Sequence, residues 1–341
     1  MQIELGKNSQ VIVEGNNMAT GIEIGNDGML NADQLTLTAT GLSGKSSLTG
    51  IILYTNSNAD LGDNSSITVS NSGSFAEGVA VRGANSSFQA NNMTLKVSND
   101  QDSMGTARGM AIDGAGASVD LGTGSSISIA GFAYGAGVTI NGAATGAEFI
   151  ADNLTVDVTG RYMYAILVDA GFADLGKNST ISATGESTTL WVTGGEFQAE
   201  QLTVNTAQSV GITAQGGDVI IGAGSVVDGR SSAKSGSATS GIVAASGSTL
   251  DFKGDADNRN VIYAIDGYGV SSKFYGATVN IANTDIIMSG HNNPYGLWAI
   301  GSNDLSRPGI INGENLTIDV TASRESYGVV VQQGGGNIAD R

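Results

Sequence analysis

Apolar and polar residues alternate in short runs along the chain, and glycine or an Asp-Asn pair separates the runs. The stretch GVTINGAATGAEFIADNLTVDVTG, residues 137–160, contains three such runs. Alternation with a period of two residues predicts β-strands, and glycine, asparagine and aspartate between the runs predict tight turns. The stretch therefore predicts three short strands, which we call the first, second and third strand of a coil.

This three-strand pattern recurs with a period of about 28 residues, which is typical of a solenoid. A segment of the form glycine–apolar–any–apolar, or a close variant, marks each first strand. These segments begin at Gly21, Gly50, Gly78, Gly109, Gly137, Ala165, Leu190, Gly211, Gly241, Gly269, Gly296 and Gly328. The next residue is apolar in every case, Trp191 included, which predicts a file of stacked side chains inside the coils. We predict an all-β chain, a right-handed single-stranded parallel β-helix of about twelve three-strand coils.

The second and third strands complete the predicted interior. Large and small apolar residues alternate between coils at the second strand: Leu30/Ala32, Ala59/Leu61, Phe88/Ala90, Val119/Leu121, Phe149/Ala151, Ala173/Leu175 and Phe197/Ala199. The third strand is rich in threonine, as in LTLTATG (35–41) and LTVDVTG (154–160). Asparagines tolerate positive φ, so those before third strands are predicted to be turn residues that stack as hydrogen-bonded ladders. They are Asn8, Asn64, Asn92, Asn153, Asn178 and Asn315.

Charge and composition narrow the range of partners. The 341 residues carry a net charge of −17 and include no cysteine. Nucleic acids and anionic membranes are therefore unfavourable partners, because binding phosphates requires clustered lysine and arginine. Disulfides and thiolate metal sites are excluded, and no apolar run reaches the roughly 18 residues that a membrane helix needs. We expect no cofactor, no nucleic acid and no membrane insertion by this segment.

The two ends of the sequence match only part of a coil. Residues 1–13 fit a second and a third strand, and residues 328–341 supply a first strand without a third. No basic and apolar segment typical of a signal peptide follows Met1. We therefore expect residues 1–341 to form a single β-helix that is a slice of a longer protein and carries no export signal of its own.

Residues capable of chemistry are scattered. His291 is the only histidine, and no nucleophile motif surrounds it, so it is predicted to be a solvated loop residue. Segment 25–33, GNDGMLNAD, resembles one calcium-binding nonapeptide repeat, but tandem copies are missing, so no metal site is predicted.

Four polar residues occupy equivalent positions at the ends of successive first strands and predict a polar column: Arg82, Asp113, Asn141 and Asp169. Carboxylates gathered with a cation are also what a polysaccharide lyase or glycoside hydrolase uses. An enzyme of that kind is the alternative hypothesis, but we expect a solvated ladder without catalytic residues.

Aromatic residues provide candidates for a binding surface. Tyr164, Tyr268, Tyr295 and Tyr327 each directly precede a first-strand segment, and the last three, in consecutive coils, predict a stacked stripe. Trp298 lies one position beyond the inward file and is predicted to face outward. Apolar residues at its equivalent positions predict an exposed strip: Ile52, Leu167, Val192, Val243 and Val330.

Long insertions fall between a third strand and the next first strand, which places the loops along one edge of a solenoid. Recognition residues commonly lie on such loops, and these contain much of the scarce basic charge. The candidate binding residues from the loops and the aromatic stripe are Arg108, Arg230, Lys234, His291, Tyr295, Trp298, Arg324 and Tyr327.

Three-strand coils, glycine-rich turns, absence of cysteine and threonine-rich third strands together resemble pertactin-like autotransporter passenger domains of Gram-negative bacteria. The resemblance extends over essentially all 341 residues. It implies a β-helix exported by a signal peptide and a C-terminal translocator barrel, neither of which is expected within this sequence. The GDSGS motif of the family's serine proteases is absent, which leaves its adhesin and self-association branch. The resemblance thus implies a surface or secreted non-enzymatic adhesin that binds host matrix, glycans or another copy of itself; a passive spacer is a further alternative.

Overall fold

The computed structural model describes residues 1–42, 47–70, 73–230, 238–301 and 307–332, except for the side chains of 100–103. These residues form β-strands, turns and connecting segments; none of them is helical, and accordingly no helix long and apolar enough to span a bilayer occurs there. The chain divides into two compact units, Met1–Gly185 and Glu186–Arg341. Each unit winds as a right-handed parallel β-helix, which confirms the predicted fold class.

The strands of the first unit pair in parallel with the equivalent strands of neighbouring coils. They are β1 (Gln2–Glu4), β2 (Gln10–Gly15), β3 (Met18–Ile24), β4 (Met29–Asn31), β5 (Thr36–Gly41), β6 (Ser47–Leu53), β7 (Asn58–Asp63), β8 (Ser66–Ser70), β9 (Phe75–Val81), β10 (Ser87–Asn91), β11 (Thr94–Ile112), β12 (Ser118–Thr123), β13 (Ser126–Ile140), β14 (Glu148–Asp152), β15 (Thr155–Val158), β16 (Tyr162–Val168), β17 (Phe172–Lys177) and β18 (Thr180–Ala183). β11 and β13 each combine a third strand with the next first strand.

The second unit follows the same parallel pairing. Its strands are β19 (Leu190–Val192), β20 (Glu196–Glu200), β21 (Thr203–Thr206), β22 (Val210–Gln215), β23 (Asp218–Ile221), β24 (Val226–Asp228), β25 (Ser240–Ala245), β26 (Thr249–Lys253), β27 (Asn260–Ile265), β28 (Tyr268–Lys273), β29 (Thr278–Gly290), β30 (Tyr295–Ile300), β31 (Ile310–Ala322) and β32 (Tyr327–Gln332). β29 and β31 each combine a second and a third strand.

The interior of the first unit has the predicted stacked files. At the first strand, the aligned residues Ile51, Val79, Met110, Val138 and Ile166 are fully buried. At the second strand, small and large side chains alternate in register: Leu30, Ala59, Phe88, Val119, Phe149 and Ala173. This alternation fills each layer without overlap, because a large side chain has a smaller one above and below it.

Glycine at the start of the first-strand segment is required by space. A Cβ on Gly109 would lie 2.5 Å from the carbonyl oxygen of Gly137 in the next coil and 2.5 Å from Ile127 Cγ2 of the third strand. Gly78 meets the same two obstacles, with Leu95 in place of the isoleucine. The strand therefore bends at a corner where only hydrogen fits between the neighbouring backbone and the interior.

The inward assignment of Trp191 is wrong. Leu190 and Val192 are the fully buried residues of β19, paired with Ile212 and Ala214, while Trp191 pairs with the outward-facing Thr213. This coil lacks the glycine that fixes the alignment elsewhere, and its consecutive apolar residues allow two registers. The narrow interior accepts leucine in preference to the much larger indole.

The predicted exposed apolar strip is likewise wrong at three positions. Val192 belongs to the interior, and Ile52 and Val243 are only 5% and 6% exposed. Leu167 and Val330 are half-buried. A continuous apolar stripe along this file is therefore absent from the described residues.

Asparagine turns are confirmed at all six predicted positions. Their φ angles lie between 49° and 60°, the left-handed region that asparagine tolerates better than most residues. Ladders form between coils: Asn92 Nδ2 donates to Asn64 Oδ1 at 2.6 Å, and Asn315 donates to Asn283 at the same distance.

We expect Asn92→Ala to lower the free energy of unfolding of the first unit by about 1–2 kcal/mol. Alanine is strained at positive φ, and its side chain cannot donate a hydrogen bond to Asn64. Asn92→Gly removes the φ penalty and should lie closer to wild type. Urea unfolding followed by far-UV circular dichroism measures both. Equal losses in the two variants would show that the backbone conformation is not what asparagine stabilises here.

Candidate functional site

A stack of aromatic side chains, which we call the aromatic ladder, lies on the outward face of the second unit. It consists of Tyr268, Tyr295, Trp298 and Tyr327. The three tyrosines open β28, β30 and β32 and are aligned by strand register. Their ring centroids are 5.6 Å apart for Tyr268–Tyr295 and 5.1 Å apart for Tyr295–Tyr327. The predicted stripe of consecutive tyrosines is thus confirmed.

Trp298 joins the ladder beside two of its tyrosines. Its ring stacks on Tyr268 at 4.2 Å with an interplanar angle of 22°, and on Tyr295 at 5.6 Å with an angle of 21°. Trp298 follows the buried Leu297 and pairs in register with Ser271. The outward orientation predicted for Trp298 is therefore confirmed. All four ladder residues are half-buried, so mutual packing fixes the rings while part of each remains at the surface.

Lys273 stands at the Tyr268 end of the ladder. Its ammonium lies 4.8 Å from the ring centroid of Tyr268 and 5.6 Å from that of Trp298, which is cation–π geometry. Burial lowers the pKa of Lys273. Among the described residues no carboxylate forms a salt bridge with it. Within the described ranges, the ladder therefore has a cationic end whose charge lies against aromatic faces.

The opposite end of the ladder is anionic. The Tyr327 hydroxyl donates a hydrogen bond to Glu325 Oε2 at 2.6 Å, and this bond raises the pKa of Tyr327. His291 and Arg324 lie in loops and are exposed, and His291 Nδ1 is 3.1 Å from Ser323 Oγ.

Two buried polar atoms at the ladder lack hydrogen-bond partners among the described residues. Trp298 Nε1 and the hydroxyl of fully buried Ser271 have no hydrogen-bond partner within the described part of the chain. Leaving buried polar groups unpaired costs free energy.

Arg230, a predicted binding residue, is already engaged. Its guanidinium lies 3.3 Å from the ring centroid of Tyr263, and Nη2 is 2.7 Å from Asp228 Oδ2. Hydrogen bonds from Arg230 hold the pKa of Asp228 below its usual value. Lys234, the other candidate in the same loop, lies outside the described residues.

The first unit has a different outward feature, a charged cluster around a buried carboxylate. Glu77 is fully buried on β9, with Oε2 2.5 Å from Arg82 Nη2 and Oε1 3.5 Å from Arg108 Nη1. Burial raises the pKa of Glu77, and the two arginines offset part of that increase. Arg108 was predicted to lie in a loop; instead it is a strand residue of β11, directly paired in register with Glu77.

The predicted polar column forms part of this charged cluster. Arg82 Nε is 3.9 Å from Asp113 Oδ2, and Asn141 donates a hydrogen bond to Asp113. Asp169 follows at the equivalent position, where its backbone N–H donates to Ile140. The cations thus neutralise carboxylates of the same chain. No group of three or more His, Cys, Asp or Glu side chains is placed to hold a metal ion in the described ranges.

The sequence predicted the tyrosine stack and the outward orientation of Trp298, but it did not join Trp298 to that stack, and it missed Lys273 and Glu77. Lys273 follows Tyr268 by five residues in YGVSSK. The sequence spacing does not show that Tyr268 and Lys273, at the two ends of β28, both contact the ring of Trp298; the structure does. Glu77 precedes Gly78, the same position that the tyrosines hold before their glycines, and this shared position was the available signal.

Comparison with known proteins finds sequence similarity to a probable autotransporter. It is 34% identical over 324 residues to the protein named "Probable autotransporter YcgV" of Escherichia coli K12, covering 93% of this chain and 31% of that protein. It is also 34% identical over 314 residues to a YcgV protein of Escherichia coli O157:H7, covering 76% of this chain and 54% of the relative. The chain therefore spans less than two thirds of the length of either relative. No family model matches it. The chain is thus similar in sequence to part of a probable autotransporter, and its parallel β-helix is consistent with an autotransporter passenger domain.

Proposed function

We propose that this segment of a surface-exposed passenger is a non-enzymatic adhesin that attaches through the aromatic ladder. The observation that carries the proposal is the stack of Tyr268, Trp298, Tyr295 and Tyr327 on an outward face. Tyrosine and tryptophan dominate the energetics of binding surfaces, because they offer large contact areas at low conformational cost. The ladder is also held rigid by its own stacking, which reduces the entropy lost on binding.

The charge of the chain favours a host ligand over another copy of the same segment. At a net charge of −17, two copies repel each other at long range. A host matrix protein or glycan does not necessarily carry that penalty. We therefore propose attachment to host matrix or glycan as the main activity, with self-association as the outcome to be tested beside it.

The charged cluster supports a non-enzymatic role. Glu77 is fully buried and paired with Arg82 and Arg108, so its carboxylate is not available to a substrate. A polysaccharide lyase or hydrolase would instead need its acid or base within reach of the scissile bond.

The test displays the full 341-residue chain on non-adherent bacteria and measures attachment to matrix-coated and cell-coated surfaces. We expect Trp298→Ala combined with Tyr295→Ala to reduce attachment about tenfold or more, because both changes remove central contact area. Trp298→Phe, which keeps an aromatic ring, should retain most attachment. Trp191→Phe, outside the ladder, is the matched control and should behave as wild type.

Four results would contradict the proposal. Attachment equal to that of cells without the chain would favour a passive spacer. Full attachment by the double variant would assign binding to another surface. Release of reducing ends or unsaturated products from acidic polysaccharides would identify an enzyme, and settling of displaying cells in suspension would identify self-association.

A further inference from the structure

We infer that the aromatic ladder binds an acidic polysaccharide, whose carboxylate pairs with Lys273 and whose oxygens accept hydrogen bonds from the Tyr268 and Tyr295 hydroxyls. The inference rests on the proposed attachment function and names the chemical class of its ligand. Three features of the second unit carry it.

The first feature is a cation without a carboxylate partner among the described residues. Lys273 is half-buried, and among the described residues it contacts the rings of Tyr268 and Trp298 but no carboxylate. A charge withdrawn from water without a counter-ion gains from a ligand that supplies one. An incoming carboxylate satisfies Lys273 without breaking an existing salt bridge. Arg230 and Arg82, by contrast, would first have to release Asp228 and Glu77.

The second feature is the regular row of hydroxyls. Strand register aligns Tyr268 with Tyr295 in adjacent coils, so their rings and hydroxyls repeat along the solenoid. Neighbouring strands are about 4.8 Å apart, and a polymer with recurring oxygens matches a recurring set of donors better than a compact ligand does. The ring faces are covered by stacking on neighbouring rings. The ligand therefore contacts the hydroxyls and the ring edges.

The third feature is the polarity of the ladder. Lys273 marks the Tyr268 end, while Glu325 accepts a hydrogen bond from the Tyr327 hydroxyl at the other end. This asymmetry places the ligand carboxylate near Lys273 and uncharged sugar oxygens further along. The acidic chain repels an acidic polysaccharide at long range, as it repels a second copy. This repulsion is screened beyond about 8 Å at physiological ionic strength, and the pairing of the ligand carboxylate with Lys273 offsets what remains.

The experiment uses the full chain with Trp191→Phe, which leaves Trp298 as the only tryptophan reporter. The probes are polygalacturonate, alginate and hyaluronan oligosaccharides, each beside a matched form with its carboxylates reduced to alcohols. Tryptophan fluorescence is titrated with each probe. We expect at least one acidic oligosaccharide to bind about tenfold more tightly than its reduced form, as for a charge-assisted hydrogen bond.

Two variants separate the contributions. Lys273→Gln should abolish the preference for the acidic form and leave affinity for the reduced form unchanged. Tyr268→Phe with Tyr295→Phe keeps the stacked rings and should weaken both forms. Because burial lowers the pKa of Lys273, preference for the acidic form should also decline as pH rises, at a lower pH than for an exposed lysine.

The results distinguish this inference from the proposed function. No preference for any acidic probe, or a preference that survives Lys273→Gln, would overturn the inference while attachment through Trp298 still stands. A preference that depends on Lys273, together with displayed cells that fail to attach, would overturn the adhesin proposal and leave the saccharide site in place.

Discussion

Gly109→Val is expected to destabilise the first unit by about 3 kcal/mol or more, since the added carbons meet backbone as well as side chain. A Cβ at Gly109 lies 2.5 Å from the Gly137 carbonyl oxygen, and no rotamer change can move that atom. The carbonyl belongs to the neighbouring coil, so the strain spreads to the pairing of β11 with β13. Against a typical unfolding free energy of ~5–15 kcal/mol, this is a large loss.

The measurement must report on the first unit. Trp191 and Trp298 both lie in the second unit, so tryptophan fluorescence does not follow the change. Far-UV circular dichroism in urea and hydrogen exchange of the β11 and β13 backbone amides both report on the first unit. We expect a lower urea midpoint and faster exchange in these two strands.

Two controls isolate the corner. Gly142→Val places a side chain where the nearest atom is Asp169 Cβ at 3.9 Å, and should change stability little. Ala165 holds the corner position in another coil of the same unit, and Ala165→Gly should cost only about 0.5–1 kcal/mol of backbone entropy. If Gly109→Val and Gly142→Val have the same urea midpoint, the backbone at the corner can relax to accommodate a side chain. Steric exclusion would then not be the reason for glycine at this position.

The corner glycine shows which part of the fold the sequence predicts well. The recurring glycine and the apolar residue after it identify most coils, because stacking requires equivalent residues at a regular spacing. The prediction failed at Trp191, in a coil without that glycine. Two adjacent apolar residues fit the pattern equally well there, and only the width of the interior decides between them.

The candidate site shows a similar division. Tyr295 and Tyr327 could be found because each directly precedes a glycine that marks a coil, and equal positions in successive coils stack. The outward orientation of Trp298 could be found in the same way, but its contact with the tyrosines could not. Lys273 could not be found in this way. Its role depends on its neighbours in space, which among the described residues are two aromatic rings and no carboxylate. Charge pairing on an outward face depends on side chains from neighbouring coils. A linear sequence does not place them, as Glu77 between Arg82 and Arg108 also illustrates.

The charged cluster leads to a pH-dependent expectation for Arg82→Met. Near neutral pH the variant should lose about 2–3 kcal/mol, less than the ~3–5 kcal/mol typical of a fully buried broken pair, because Arg108 remains beside Glu77. Glu77→Gln should cost less than Arg82→Met, since its neutral side chain needs no cation and both arginines reach solvent. The double variant should therefore be more stable than Arg82→Met alone.

The pH dependence follows from the raised pKa of Glu77, which burial causes and the arginines only partly offset. A carboxyl whose pKa is higher in the folded than in the unfolded state contributes stability below its unfolded pKa, and that contribution is lost as pH rises through the folded value.

Removing Arg82 raises the folded pKa of Glu77 further. The destabilisation by Arg82→Met should therefore be small near pH 4, where Glu77 is largely protonated, and should grow toward pH 7. In a Glu77→Gln background, the destabilisation by Arg82→Met should no longer increase with pH. A destabilisation by Arg82→Met that is constant with pH would show that Arg82 acts through packing or through Asp113, 3.9 Å away, and that Glu77 is not its principal partner.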